Sequence, residues 1–291
     1  MKTTFINIIY LLGTTFVFAI PATNMPIKLT QTNGIEFDAH IRGDEWNNWY
    51  ETTNGFTIAR DSKNNWKYVG AVDDKGYILT SNDAHLPNPN QSLRKHIQPI
   101  PRITPPNHGE ENPINLSQLN REEFEIPLLL IDYPNMEHSY PQSNFEDLMN
   151  QEEYVGSQGA TGSFRDLYIE NSYGQFMPHS TILGWFTAAE DYQTYGDGAP
   201  NGYQMVKQMI GQAIDDAESM GVDWTMYDND GDGYVDALNV LHAGQGAEEG
   251  NSNYIWSHKW NLGSQARYYD GVVINNYTIN PEKQAAGNGA N

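Results

Sequence analysis

Asp228, Asp230, Asp232 and Asp236 place four carboxylates within the nine-residue run Asp228-Asn229-Asp230-Gly231-Asp232-Gly233-Tyr234-Val235-Asp236. Carboxylates at positions one, three and five converge on a point where the chain turns sharply behind them. Gly233, at position six, supplies that turn because glycine tolerates the required dihedrals cheaply. Tyr234, at position seven, offers a backbone carbonyl, and Asp236, at position nine, ligates directly or through water. Hard oxygen donors in this number suit calcium better than zinc. The expected metal ligands are therefore Asp228, Asp230, Asp232, Tyr234 and Asp236, around a structural Ca2+. The alternative is an Asp/Gly-rich turn with no ion, in which the acids repel one another. Position twelve is Asn239, where an EF-hand carries a bidentate Glu, and Val235, Leu238 and Val240 suggest a strand after the loop. The loop is EF-like without belonging to an EF-hand, and reads as a static site.

Other chemistries find less support. Zinc hydrolysis is announced by H-E-x-x-H, two imidazoles one helical turn apart with a general base between them. The chain has eight histidines, none followed by Glu and no two within four residues. His242 and His258 could share a metal only through the fold; packing beside a strand end is the simpler role. There is no cysteine. Gly156-Ser157 and Gly162-Ser163 lack the spacing of a nucleophile elbow. Asp132 and Glu170 are candidate carboxylates for glycoside hydrolysis. No catalytic residue and no zinc ligand is assigned within the chain.

The elements that must position the loop follow from patterning. Short alternating runs between residues 26 and 81, with turns at Asn33-Gly34, Asn54-Gly55 and Lys75-Gly76, predict a small antiparallel β unit of little apolar mass. Residues 82–123 carry seven prolines and read as a linker, with Arg94-Lys95, Arg102 and Arg121 as plausible cleavage points. From residue 124 a second domain is expected. Ile126–Tyr133 is a continuous apolar run typical of a buried strand. Gly202–Met220 presents Met205, Val206, Met209, Ile210, Ala213, Ile214 and Ala217 on one face, with Asn201 as its cap and Gly221 as its end. Tyr234–His242 and Gly271–Ile279 read as strands. Ser163 and Asp166 form a capping box ahead of a further helix. Trp256, His258 and Trp260 alternate as on a core-edge strand. The class is α/β or α+β.

Composition bounds the rest. Lys2 followed by the apolar run Phe5–Ala19 resembles an export signal, cleaved after Ala19 or after Ala22. An exported chain without cysteine needs a stabiliser other than disulfides, and calcium is a common one outside the cell. Residues 1–123 hold 13 Asp and Glu against 11 Lys and Arg; residues 124–291 hold 24 against 5. The net charge of −21 leaves no basic footprint for nucleic acid.

Several of these pieces occur in a specific order. GSFRDLYIENSYGQF at 162–176 precedes GWF at 184–186, YDNDGDGYVDALNVLHAGQG at 227–246, IWSHKW at 255–260 and YTINPE at 277–282. That order resembles the secreted M6-type metallopeptidases, the immune-inhibitor-A-like family. GIEFDAHIRGDEWNNWYETTNGFTI at 34–58, followed by WKYV at 66–69, is similar to the N-terminal region of the same family. The resemblance implies a zincin-like metallopeptidase domain at 124–291, incomplete at its C-terminal side. A signal peptide at 1–19, a propeptide-like β unit at 20–81 and the linker at 82–123 would precede it. It implies Zn2+ in the parent enzyme and protein or peptide substrates, with no membrane attachment once the signal is removed. The family's H-E-x-x-H follows a segment like Tyr277–Glu282; here the residues after it, through Asn291, do not contain one. Residues 1–291 are therefore expected to be the inactive N-terminal portion of a secreted zinc metalloendopeptidase. The alternative is a non-catalytic, calcium-dependent extracellular binding module; a dockerin would need the loop twice, and the sequence carries it once.

Overall fold

The structure is a computed structural model that describes residues 21–23, 25–87, 93–100, 123–156 and 161–283. The expected signal segment and residues 88–92 and 101–122 of the expected linker lie outside the described residues.

The N-terminal region is a six-stranded antiparallel meander. Its strands are β1 (Ile27–Thr30), β2 (Glu36–Gly43), β3 (Asn48–Thr52), β4 (Thr57–Arg60), β5 (Trp66–Asp73) and β6 (Gly76–Asp83), each pairing with its neighbour in sequence. The turn residues set the register: Gly55 has φ 83° and Gly76 φ 120°, values a side chain resists. Alternation then sends Leu29, Ala39, Ile58, Trp66 and Tyr68 to one face, where Ala84 joins them in a small buried core.

Part of the expected linker belongs to this sheet. Residues 82 and 83 complete β6. Beyond it, the Thr57 hydroxyl donates to the Ile97 carbonyl at 2.9 Å, and the His96 ring meets the buried Glu51 carboxylate at 3.0 Å. Proline content signals a lack of regular structure, and side-chain anchoring does not need regular structure.

The second region is built on a mixed five-stranded sheet. Its strands are β7 (Phe124–Asp132), β8 (Pro178–Thr187), β9 (Leu238–His242), β10 (His258–Asn261) and β13 (Asn276–Pro281), in the order β10-β13-β9-β7-β8. All neighbours are parallel except β10 on β13. Helices α1 (Gln142–Asn150), α2 (Phe164–Asn171) and α3 (Gly202–Ser219) complete the region, with a hairpin of β11 (Arg267–Tyr269) and β12 (Val272–Ile274). β7 is apolar from Ile126 to Ile131 because both its faces are covered there. Leu129 and Ile131 join Val206, Met209, Ile210 and Ile214 of α3 in one cluster; Leu128 and Leu130 join Phe145 and Met149 of α1 in another. None of the described helices is long and apolar enough to cross a membrane.

Three local expectations change. The run Gly271–Ile279 divides into β12 and β13, because Asp270 and Gly271, both with positive φ, close a tight hairpin that takes its first residues. The strand expected from Tyr234 starts at Leu238; Tyr234 makes only an isolated parallel bridge to Val273. Asn201 precedes α3 with φ −134° and ψ 28° and makes no side-chain cap bond. Gly221 does end that helix, with φ 87° and its N–H on the Glu218 carbonyl. The Ser163–Asp166 capping box on α2 is complete.

The two regions meet along a seam. Ile41 packs with Ala247 and Trp256. The β2–β3 turn carries Trp46, 8 % exposed, stacked on Tyr203 and edge-on to Trp260 at 4.7 Å. The Tyr203 hydroxyl donates to the Glu45 carbonyl at 2.6 Å, Asn48 to Asp197, and the Tyr50 hydroxyl to the Gly250 carbonyl.

Candidate metal centre

The acidic loop starts from a rigid support. A 3-10 turn at Trp224–Tyr227 buries both of its end aromatics, and the chain then turns through Gly231 and Gly233 with φ 75° and 88°. Inside the turn the carboxylates collect backbone N–H groups. Asp228 accepts from Asp232 and Gly233, each at 3.0 Å, and Asp236 accepts from Asn229 at 2.7 Å. One carboxylate oxygen from each of Asp228, Asp230 and Asp236 lies within 4.8 Å of the others. Asp232 is different: it is exposed, it accepts from the Tyr234 N–H at 2.9 Å, and it is not in that group. Tyr234 is pinned by its bridge, where Val273 donates to the Gly233 carbonyl and Val235 to the Val273 carbonyl.

Burial loads this cluster electrostatically. Desolvation pushes the Asp236 carboxyl up to about 6; the Asn229 bonds oppose the rise, and Asp230 and Asp232 add to it by repulsion. A hard cation would relieve that repulsion, so the donor chemistry and spacing fit calcium. Asn239 is committed elsewhere, since its Oδ1 accepts from the Thr278 hydroxyl on β13 at 2.5 Å. The absence of an EF-hand Glu is thus the mark of a loop that runs into a sheet.

Sequence reading missed the loop's anchor. Asn229, 5 % exposed, accepts from the Glu125 N–H at 2.8 Å and donates to the Glu125 carbonyl at 3.0 Å. That pair ties the loop to the start of strand β7 across 104 residues of chain. Glu125 also belongs to a second group, with Glu123 and His179, whose ligand atoms lie within 4.8 Å. There Arg165 already pairs with Glu123 at 2.7 Å, and His179 with Glu125 at 2.9 Å. No local spacing could have revealed it, because the parallel β7–β8 register creates it.

The remaining candidates separate. His242 and His258 are fully buried, and burial pushes each imidazole down to about 4, so both are neutral at neutral pH. His258 meets the Trp256 carbonyl at 2.7 Å and the Tyr277 hydroxyl at 3.0 Å, while His242 Nδ1 faces the Ala243 carbonyl. His242 Nε2 is buried without a hydrogen-bond partner, and among the described residues no group of three or more possible ligands includes either imidazole. Asp132 accepts from His138, whose ring stacks on Trp185 at 4.3 Å. Glu170 follows Tyr168, which reaches the start of β7 through Phe176 and Phe124. Asp132 ends that strand and is 7 % exposed, whereas Glu170 is exposed on α2, and among the described residues no ligand group includes either carboxylate. Glu282, closing YTINPE, accepts from the N–H groups of Ser139, Tyr140 and Gly244, joining the loops after β7 and β9.

Comparison with known proteins agrees with this order of motifs. Residues 130–291 match the family described as immune inhibitor A peptidase M6, catalytic domain. The chain is 26 % identical over 212 residues to immune inhibitor A of Bacillus thuringiensis subsp. alesti, covering 56 % of this chain and 31 % of that protein. It is 28 % identical over 210 residues to the pre-pro-metalloprotease PrtV of Vibrio cholerae serotype O1, covering 55 % of this chain and 22 % of the relative. The chain thus spans about a third or less of the length of these relatives.

Proposed function

Since the chain belongs to the immune inhibitor A peptidase M6 family, we propose that it is the N-terminal portion of a secreted zinc metalloendopeptidase stabilised by calcium. The match across residues 130–291 carries this reading. The name of the Vibrio relative, a pre-pro-protein, supports an export signal and a pro-region ahead of the peptidase domain. On this reading residues 1–19 are the signal, the β1–β6 sheet is propeptide-like, and the mixed sheet with its helices is part of a zincin-like domain. Protein or peptide is the substrate.

Calcium is held by Asp228, Asp230 and Asp236, with Asp232 and the Tyr234 carbonyl completing the shell once an ion draws them in. Its role is structural: it fixes the junction between the Trp224–Tyr227 turn, the β11–β12 hairpin and the start of β7. When bound, zinc in such an enzyme polarises the scissile carbonyl and activates water. The described residues do not fit a zinc site of that kind: none of the chain's histidines belongs to an H-E-x-x-H, both ring nitrogens of His258 are bonded, and of the two buried imidazoles only His242 Nε2 lacks a partner. No catalytic step is assigned to them.

Two experiments test the reading. Residues 1–291, purified with micromolar zinc, are expected to leave casein intact; hydrolysis by this chain alone would overturn the assignment of zinc chemistry outside it. An in-frame H-E-x-x-H within about 20 codons after residue 291 supports the peptidase. A stop codon there favours a calcium-dependent binding module instead.

A further inference from the structure

We propose that calcium in the Asp228–Asp236 loop controls how firmly helix α2 is held against the mixed sheet, with Asn229 as the positioning residue between them. The inference rests on the calcium reading above and extends it to an element that supplies no ligand.

α2 has little apolar attachment of its own. None of its eight residues is buried, and Leu167 and Tyr168 are 56 % and 42 % exposed. A helix this short is marginal by itself and depends on its packing. Phe164 touches the cluster that α1 covers. The other contacts converge on the first residues of β7 and β8. Arg165 donates to the Glu123 carboxylate at 2.7 Å and to the Pro178 carbonyl at 3.0 Å. Tyr168 meets Phe176 edge-on at 5.6 Å, and Phe176 meets Phe124 at 5.2 Å. Glu123 and Phe124 stand immediately before Glu125 in the chain.

Glu125 is the residue the acidic loop grips. β9 pairs with β7 from Leu128 onward, so the first residues of β7 lie beyond that ladder. The Asn229 amide fills the place, accepting from the Glu125 N–H and donating to the Glu125 carbonyl. Asn229 is itself set between two ligands, Asp228 and Asp230, and its own N–H donates to a third, Asp236, at 2.7 Å. An ion that neutralises these carboxylates fixes Asn229 among them. Without the ion their repulsion loosens the residue they surround, and the grip on β7 loosens with it. The route from ion to helix is Asn229, Glu125, then Glu123 and Phe124, then α2. Such coupling is reciprocal: a helix that docks better with calcium present makes calcium bind better.

The test uses residues 1–291 with calcium and with EGTA, following amide exchange in 164–172 by mass spectrometry and calcium affinity by calorimetry. Labelling times are kept short enough that α3 exchanges in neither state, which excludes global opening. EGTA is expected to speed exchange in α2 about tenfold, one net hydrogen bond's worth. Asn229→Ala should leave α2 at the EGTA rate even when calcium is saturating. Arg165→Gln changes no loop residue; it should speed α2 exchange and weaken calcium binding several-fold by reciprocity. If the unsubstituted chain binds no calcium, the calcium reading fails and this inference with it. Calcium binding that leaves α2 exchange unmoved overturns the inference alone. So does an Arg165→Gln chain that keeps its calcium affinity, because helix and ion are then independent. An Asn229→Ala chain whose α2 still responds to calcium overturns Asn229 as the link.

Discussion

The N-terminal sheet and the mixed sheet are stabilised in opposite ways. In the first, every strand pairs with its sequence neighbour, and the buried apolar core numbers six of the described residues. Its order is local and its burial slight, so it leans on the seam through Ile41, Trp46 and Tyr50. In the second, β7 pairs with strands far along the chain and both its faces are covered. That region has apolar mass to spare, and its weak point is electrostatic: buried histidines and a crowded acidic loop. The comparison teaches that one region depends on its neighbour and the other on its solution conditions.

Acid should expose that difference most strongly. His242 and His258 titrate near 4 in the folded state and near 6.5 when unfolded, so the unfolded chain binds more protons between those values. Stability is then complete above about pH 6.5 and is lost as pH falls toward 4. Two such groups give a slope of roughly 2–3 kcal/mol per pH unit over that window. Denaturant melts at stepwise pH, alongside NMR titration of the two rings, check this; imidazoles that titrate near 6.5 in the native protein would remove its basis.

Calcium removal comes next. An ion held at a thousand times its dissociation constant contributes about 4 kcal/mol, which lowers the melting temperature of a region this size by about 10 °C when withdrawn. Asp230→Ala should mimic chelation and abolish the further effect of EGTA. A melting curve that EGTA leaves unmoved means the loop is no strong ion site.

Trp46→Ala attacks the other side. Truncating a buried Trp costs about 3–5 kcal/mol, and here the loss falls on the seam. The N-terminal sheet should become sensitive to protease while the calcium-dependent transition stays where it was; a shift in both would merge the two regions into one cooperative unit. Ser163→Ala is the smallest change. Loss of its cap on α2 should cost about 1 kcal/mol, and a Ser163→Asp variant should restore most of it.

What could be read from sequence was what is local along the chain. The acidic loop fits into nine residues, the capping box into four, and the Asn-Gly turns into two. The apolar runs of β7 and α3 carry their own burial pattern. Missing were features made by distant pairing: Asn229 on Glu125, the Glu123–Glu125–His179 group, the division of 271–279 and the anchoring of 93–100. The position-five ligand shows a subtler limit. Spacing placed Asp232 with the other acids, but its carboxylate turns to the Tyr234 N–H and solvent.

The seam has one more consequence. The sheet touches the second region through Ile41, Trp46 on Tyr203, and a handful of hydrogen bonds, and the two regions are also joined covalently along the chain. A single cut in that connection therefore separates nothing at once. It turns a tethered partner, present at an effective concentration of order millimolar, into a free one subject to dilution. Scission and departure are distinct events, and the second depends on how concentrated the protein is when the first occurs.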